Sequence, residues 1–416
     1  MPGRPHTSRT APPLVIVGAT ARALAVSAAR AGWAVHAADL FGDLDLQAVA
    51  TEAVTVTADA AAPAGRYPWS LAAAAASFPA GAPWCYTGGL ENHPDLLDAI
   101  AALRPLAGNP GDVVRRLRDP TAVAAAAREA GLTYPETHHA ADGVPLDGTF
   151  LVKPLAGAGG RGIRPWTSGV ALPPSAAGAE PAAARVWQRF IEGVPISAAY
   201  CISGGTAELV GWSRQLVGEP CCHAGPFAWC GAIASGPGAG WGDAGLDRRL
   251  CRLGTVLAER FEPVGLIGVD LVLAADGPPA VIEINPRPTA SMELFERAGN
   301  GSLAARHLAA CGFPASAATP LPPPGPPLAA WSKAVLFAAA DTAITPGLGE
   351  RLADVSAGWT RADGGWPALA DVPRPGQVIP AGAPVLTVFA PGLADDRGLE
   401  RLRGRVARLD GLLAGG

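Results

Sequence analysis

Three oxygen-bearing side chains, Asp270, Glu283 and Asn285, stand in two short apolar runs, residues 268–271 and 281–285. Between the runs lies Ala275-Asp276-Gly277-Pro278, a turn-type cluster that predicts a β-hairpin. A symmetric closure puts Asp270 opposite Glu283. Because side chains alternate along a strand, Asp270, Glu283 and Asn285 then share one face. Two carboxylates and a carboxamide among Val, Ile and Leu form a hard, oxygen-only cluster that is costly to bury without a divalent cation. Magnesium is the expected ion, with manganese as the alternative.

A second set lies upstream. The run Thr149-Phe150-Leu151-Val152-Lys153 predicts a strand that ends on a lysine and enters a loop with Gly157, Gly159, Gly160 and Gly162. Glycines let backbone N–H groups approach an anion, and the lysine adds charge, so the loop suits phosphate. It is not a P-loop, because no Gly-Lys-Ser/Thr closes it. Of the 32 basic residues only Lys153 and Lys333 are lysines. Positions that keep lysine in so arginine-biased a chain point to a need for a compact ammonium. A lysine-plus-glycine loop followed by a carboxylate hairpin suits a magnesium–nucleotide site between two β-layers.

The surrounding elements must position these groups. Leu14-Val15-Ile16-Val17-Gly18, an Ala-rich helix over 21–31 and a strand ending at Asp39 predict the βαβ start of a doubly wound sheet. The first turn lacks the three-glycine dinucleotide fingerprint, although Asp39 stands where a ribose-binding acid could lie. Trp84-Cys85-Tyr86-Thr87-Gly88-Gly89 reads as a later strand end, where ligands of such sheets collect. A helix over 121–130, a variable loop over 167–185, a strand over 186–191, a hairpin about Gly204-Gly205 and a helix over 248–261 follow. Residues 313–328 form a proline-stiffened linker. The expected organisation is a Rossmann-like domain (1–109), a nucleotide-binding domain (110–312), the linker (313–328), a β-rich module (329–394) and a C-terminal helix (395–416).

Bulk properties narrow the classes. The chain has 416 residues and 49% hydrophobic content, inflated by Ala and Gly, and no apolar stretch reaches the ~20 residues of a membrane-spanning helix. No signal-peptide core precedes the first strand, so a cytoplasmic enzyme is expected, with no membrane partner. A net charge of −4 without a basic block argues against nucleic acid. Seven irregularly spaced cysteines give neither a disulfide framework nor a paired zinc pattern. Cys221-Cys222-His223 with Cys230 reads as incidental.

In the order of these features the chain resembles the ATP-grasp superfamily. The resemblance covers roughly residues 14–310 and is most specific at Glu283-Ile284-Asn285-Pro286-Arg287-Pro288. It implies an α/β ATP-grasp fold: a Rossmann-like domain, a central two-part nucleotide-binding domain and a small C-terminal β-rich module. It also implies that Gln188, Arg189, Phe190 and Ile191 form the hinge that holds adenine, with Glu192 near adenine or ribose. Lys153, Gly157, Gly159 and Gly160 would contact ATP phosphates. Asp270, Glu283 and Asn285 would hold the metal, and Arg287 the reacting carboxylate or acyl phosphate. One departure stands out. Many members carry a second nucleotide-binding lysine where this chain reads Arg118-Asp119-Pro120-Thr121, with Pro120 at that place and Arg118 or Arg116 as substitutes.

The resemblance implies an ATP-dependent carboxylate–amine ligase, similar to the tyramine–glutamate ligase type, acting on small-molecule carboxylate and amine substrates, with a homodimer as the expected assembly. Transfer of the γ-phosphoryl group turns an unreactive carboxylate into an acyl phosphate that an amine attacks; Lys153 and the metal offset charge and the lid excludes water. Lys153 and Arg287 are the expected catalytic residues. The alternatives are a bicarbonate-activating enzyme similar to carboxyaminoimidazole ribonucleotide synthase, with a ribonucleotide phosphate near His93 or Arg104, and a silent ATP-binding regulator. Arg214, Gln215, His223, Glu293 and Lys333 are open between site and surface.

Overall fold

A computed structural model describes residues 11–56, 67–169, 185–235, 244–313, 320, 323–325, 330–392 and 396–415. It opens with four parallel strands, β1 (Pro13–Val17), β2 (Ala34–Asp39), β3 (Glu52–Thr55) and β4 (Trp84–Tyr86), in the order β3-β2-β1-β4. Leu14 to Val17 are completely buried. Leu14 and Ile16 pack with Leu24, Ala25 and Ala28 of one helix, whereas Val15 and Val17 pack with Leu71, Leu96 and Leu97 from the other side. That two-sided cover is why β1 reads as a continuous apolar run and not as an alternation.

A small antiparallel sheet follows, made of β5 (Thr137–His138), β6 (Asp147–Pro154), β7 (Arg164–Thr167) and β8 (Arg185–Arg189), in the order β5-β8-β6-β7. Beyond it the chain builds β9 (Gly193–Ser203), β10 (Thr206–Val217), β11 (Trp229–Ser235), β12 (Gly265–Ala274), β13 (Ala280–Asn285) and β14 (Ala330–Phe337). After β14 come β15 (Thr342–Ala343), β16 (Leu369–Ala370), β17 (Val378–Ile379) and β18 (Pro384–Gly392). Eight of these form one sheet, β13-β12-β9-β10-β11-β14-β18-β16, while β15 pairs with β17. The helix Ala244–Phe261 covers one face of the large sheet through Leu246, Leu250, Leu253, Leu257 and Phe261, a spacing that keeps apolar residues on one side.

The hairpin about Gly204-Gly205 forms as anticipated, between β9 and β10. In the C-terminal part, β14 is hydrogen-bonded to β11, so those strands extend the central sheet. The sequence reading placed no helix between 329 and 394, yet Pro346–Ala362 is a 17-residue helix. Its start signal is present: Thr345 caps the Leu348 N–H and proline occupies the first turn. Its apolar stripe is thin, with Leu348 and Leu352 buried and glycines at 347, 349 and 358, which hides the period. The C-terminal helix, Asp396–Ala414, buries Leu402, Val406 and Leu409 in a cluster that includes Val388 of β18 and Leu336 of β14. Most of the expected linker (314–319, 321–322 and 326–328), residues 170–184 of the expected loop and residues 1–10 lie outside the described residues. Among those described, no helix is long and apolar enough to cross a membrane.

Candidate functional site

The hairpin closes as its symmetry predicts where the chemistry lies: Asp270 pairs with Glu283, Val269 with Ile284, and Gly268 with Asn285. Past Asp270 the register shifts and Leu271 faces Val281, so Ile282 is the extra residue of a β-bulge. Asp270 Oδ2 accepts from Asn285 Nδ2 at 3.0 Å, and its Oδ1 accepts from Gln215 Nε2 at 2.7 Å. Burial, followed by the charge of Glu283, pushes the Asp270 carboxyl up to about 6, against weaker help from hydrogen bonds of Ser197, Gln215 and Asn285. Two facing carboxylates with a carboxamide beside them suit a divalent cation, and the donor atoms they would offer are oxygens. With only two acids, the set needs Asn285 as third donor; here that amide turns its nitrogen to Asp270 and its oxygen to Arg287.

Glu283 is not alone on its side. Arg118 Nη1 donates to Glu283 Oε1 at 2.8 Å, and Arg118 Nη2 to Leu155 O at 2.9 Å and Asn92 Oδ1 at 3.0 Å. Of the two substitutes for the missing lysine, Arg118 is therefore in the cleft, whereas Arg116 lies 3.7 Å from Asp112 on the exposed side of its own helix. Pro120 lines the same cleft.

Lys153, on β6 of the small sheet, faces the hairpin across this cleft. Its Nζ donates to Gln188 Oε1 at 2.9 Å, and Gln188 Nε2 donates to Thr137 Oγ1 at 3.2 Å. Burial lowers the Lys153 ammonium from its ordinary range, and the charges of Glu283 and Asp270 oppose that shift. Gly157, Gly159 and Gly160 line the cavity with Lys153, Gln188 and Glu283. Its volume is about 90 Å³. Ligand pockets run to roughly 300–1,000 Å³, so a nucleotide enters only if the loop over it lifts.

The loop is held down at present by Trp229 N–H to Gly159 O (3.2 Å) and Asn92 Nδ2 to Gly157 O (3.2 Å). Gly160 has φ +80°, and a Cβ there would stand 1.8 Å from Phe227 O, so no other residue permits this approach.

The expected hinge residues separate. Gln188 is buried and enters the cavity. The Arg189 side chain points the other way, to Glu136 at 2.9 Å and over the Phe150 ring. Backbone N–H groups of Arg189 and Phe190 already donate to Glu136 O and Thr149 O. Phe190 is exposed and meets Phe227 edge-on, Ile191 is half-buried, and Glu192 is exposed.

Residues 118–291 match the family model described as an ATP-grasp domain. This stretch is an ATP-grasp domain. Structural similarity extends further along the chain. The biotin carboxylase domain of Hydrogenobacter thermophilus 2-oxoglutarate carboxylase, in complex with MgADP, ADP and bicarbonate, superposes with a TM-score of 0.63 at 14% identity, covering 94% of this chain and 88% of that one. The L-amino acid ligase from Bacillus licheniformis gives 0.62 at 15% identity, covering 96% and 98%. Carboxyaminoimidazole ribonucleotide synthase from Aspergillus clavatus, complexed with ATP, gives 0.61 at 13% identity, covering 96% and 99%. At these identities the likeness is one of fold. No curated protein matches the sequence significantly.

Several partners of the polar groups around the ATP-grasp domain escaped the sequence reading. Arg287 lies beside the metal hairpin, its Nη2 donating to Asn285 Oδ1 at 3.2 Å and to Glu91 Oε1, from the segment after β4 of the parallel sheet. Arg22 is bound by Glu293 and Asp371, and Lys333 donates to Glu293 and to Ala290 O. Burial alone would raise the Glu293 carboxyl, but Arg22 and Lys333 overrule it and hold it well below the usual range. Lys333 is 2% exposed, so it is no surface charge; on β14 it faces Ala232, which faces Gln215, and thus shares the face of Asp270. Asp39 is spent on the backbone N–H groups of Ala21, Phe41 and Gly42, which rules out the ribose role. His223 pairs with Asp410 at the surface. The only sequence signal for Glu91 was its place after a sheet-end loop; Arg22 and Asp371, 349 positions apart, had none.

Proposed function

We propose that the chain is an ATP-dependent carboxylate–amine ligase that forms an amide through an acyl phosphate. The observation that carries the reading is the opposition of Lys153 on the small sheet to the Asp270–Glu283 pair on the large one, with Arg287 two residues past Asn285. Asp270, Glu283 and Asn285 would hold magnesium, which when bound neutralises phosphate charge. Lys153, oriented by Gln188, stabilises charge on the phosphoryl group in transfer. Gly157, Gly159 and Gly160 supply backbone N–H groups to phosphate, and the lid keeps water from the acyl phosphate. The hinge, Gln188 to Glu192, takes the adenine end. Arg287 orients the substrate carboxylate, and the attacking amine displaces phosphate.

The bicarbonate-activating alternative draws less support, because Arg104 is committed to Phe78 O at 3.3 Å and Pro79 O at 3.5 Å. The test is magnesium-dependent release of ADP and phosphate with a pooled panel of amino acids, amines and bicarbonate, beside a Glu283→Gln control. Release that needs a carboxylate and an amine and vanishes in the control supports the ligase. Release with bicarbonate and a ribonucleotide overturns it in favour of the carboxylase, and ATP binding without turnover on any mixture favours the silent regulator.

A further inference from the structure

Cys221, Cys222 and Cys230 look incidental in the sequence, yet the fold brings the three thiols together. Cys221 and Cys222 end a single 3-10 turn, Pro220–Cys222, with their sulfurs 3.9 Å apart. Cys230 is the extra residue of a bulge in β11, since Leu216 faces Gly231 and Val217 faces Trp229. There the Cys222 and Cys230 thiols share a hydrogen bond, and Cys230 Sγ lies 3.3 Å from Leu216 O. None of the three is in a disulfide.

The three differ in access. Cys222 and Cys230 are buried in a cluster with Leu402 and Val406 of the C-terminal helix, whereas Cys221 is half-buried. A cavity of about 10 Å³ touches Cys221 and Cys222, and Glu219 and Arg403 line it beside them. Arg403 donates to Glu219 Oε2 at 3.1 Å and hydrogen-bonds the Cys221 sulfur. Cys222 and Cys230 also differ in acidity. The hydrogen bond from Cys222 lowers the Cys230 thiol against its burial, with help from the Glu219 and Gly218 N–H groups. The same bond, and then burial, raises Cys222. Of this pair Cys230 is therefore the better attacking thiolate.

A cavity with room for about one water excludes bulky oxidants and favours the smallest two-electron one. We propose that Cys221, Cys222 and Cys230 form a site for a small hydroperoxide, which leaves a disulfide between Cys222 and Cys230. The Cys221 sulfur attacks the peroxide, the O–O bond breaks, water leaves, and Cys221 carries a sulfenic acid. The Cys222 thiol attacks that sulfur, and its proton departs with the hydroxyl as a second water. The Cys230 thiolate then attacks Cys222, and Cys221 leaves as a thiolate beside Arg403. Two thiols have lost two electrons and two protons, and one peroxide has become two waters.

The new bond closes the loop 222–230, which carries the seat of the lid. Phe227 O lies against Gly160, and Trp229 N–H donates to Gly159 O. A disulfide draws the two sulfurs to about 2 Å, so Trp229, adjacent to Cys230, moves off Gly159. The consequence needs only the ATP-grasp lid and stands whether or not the chain is a ligase.

The test treats the reduced full-length protein with hydrogen peroxide, alkylates the remaining thiols and maps them by mass spectrometry. The tryptic peptide 215–248 should lose two hydrogen masses. Chymotrypsin, cutting after Phe227 and Trp229, should leave the Cys222 and Cys230 fragments joined until dithiothreitol parts them. ATP affinity by titration calorimetry should weaken roughly five-fold on oxidation, the worth of one hydrogen bond, and recover on reduction. Cys230→Ala should abolish both the cross-link and the shift in affinity. Cys221→Ala should slow cross-linking at least ~10-fold, because the peroxide then lacks its first acceptor. A cross-link confined to Cys221 and Cys222, over-oxidation without a cross-link, or an ATP affinity indifferent to oxidation overturns the proposal. Equally fast oxidation by glutathione disulfide, too large for the cavity, does the same. The map of the wild-type protein decides the outcome even if a variant fails to fold.

Discussion

Arg118 and Glu283, 165 positions apart, meet at 2.8 Å, and the same guanidinium reaches the lid backbone at Leu155. One arginine therefore couples the carboxylate pair to the loop that covers it. Glu283→Gln should abolish magnesium-dependent ADP release. Its fold should persist, because the side chain is 37% exposed. EDTA should do the same to the wild-type protein, reversed by added magnesium. A Glu283→Gln protein with undiminished turnover would remove the hairpin from the mechanism.

Lys153→Met should lower kcat/KM for ATP by about 10²–10³-fold, the usual cost of removing one preorganised electrostatic donor. Gln188→Leu should produce a smaller loss, because it frees the ammonium without deleting it. Steady-state ADP release at saturating magnesium measures both. Equal losses would mean that Gln188 does more than orient the Lys153 ammonium.

Gly160→Ala tests the lid. The added methyl meets Phe227 O, so the loop should fail to seat. Turnover should fall and futile ATP hydrolysis should rise as water enters. The melting temperature should move little, since the loop carries few buried contacts. Coupled phosphate and amide assays on one sample give the ratio.

His307 gives a pH signature of stability. Its Nδ1 accepts from Leu266 N–H at 2.9 Å and its Nε2–H donates to Ala107 O at 3.0 Å, which fixes the neutral tautomer. Burial lowers it from 6.5 to about 4. The folded protein binds its proton less well than the unfolded chain, so stability is full above pH 6.5 and is lost as pH falls towards 4. The loss amounts to roughly 3 kcal/mol at most. His307→Gln should lie below wild type in urea unfolding at pH 7, with the gap narrowing by pH 4.5; a constant gap would refute the assignment.

Asp43 runs in the opposite sense. Burial, then the charges of Asp371, Asp39 and Asp45, raise it from 3.8 to about 8, and its Oδ2 is buried without a partner. The folded state holds this proton more tightly, so stability is full below pH 3.8 and declines as pH rises towards 8. Asp43→Asn should therefore stabilise by about 1–3 kcal/mol at pH 8.5 and by progressively less towards pH 4, as thermal melts would show.

Local patterns carried much of this site into the sequence. The Asp270–Glu283 register was legible because strand alternation and a turn cluster are short-range, and Lys153 because it ends a strand before glycines. Ile282 was not, since a bulge inserts a residue without changing composition. The hinge was legible only as a segment: that Gln188 would turn to Lys153 while Arg189 turns to Glu136 depends on which face of β8 meets the cleft. Arg22 and Asp371 were invisible, and Glu91 nearly so, because their partners come from other parts of the fold, and the long helix over 346–362 hid behind glycines and a two-leucine stripe.

The two lysines end in similar settings, one lining the nucleotide cleft and the other sealed against Glu293. Apart from the chain's own amino terminus, the molecule offers amine-reactive chemistry no easy target at its surface. A mild acylating reagent would act on this protein as a footprint of its cleft, slowed when the cleft is filled. For the same reason, surface lysine acylation, a common means of adjusting enzymes to metabolic state, has almost nothing to write on here.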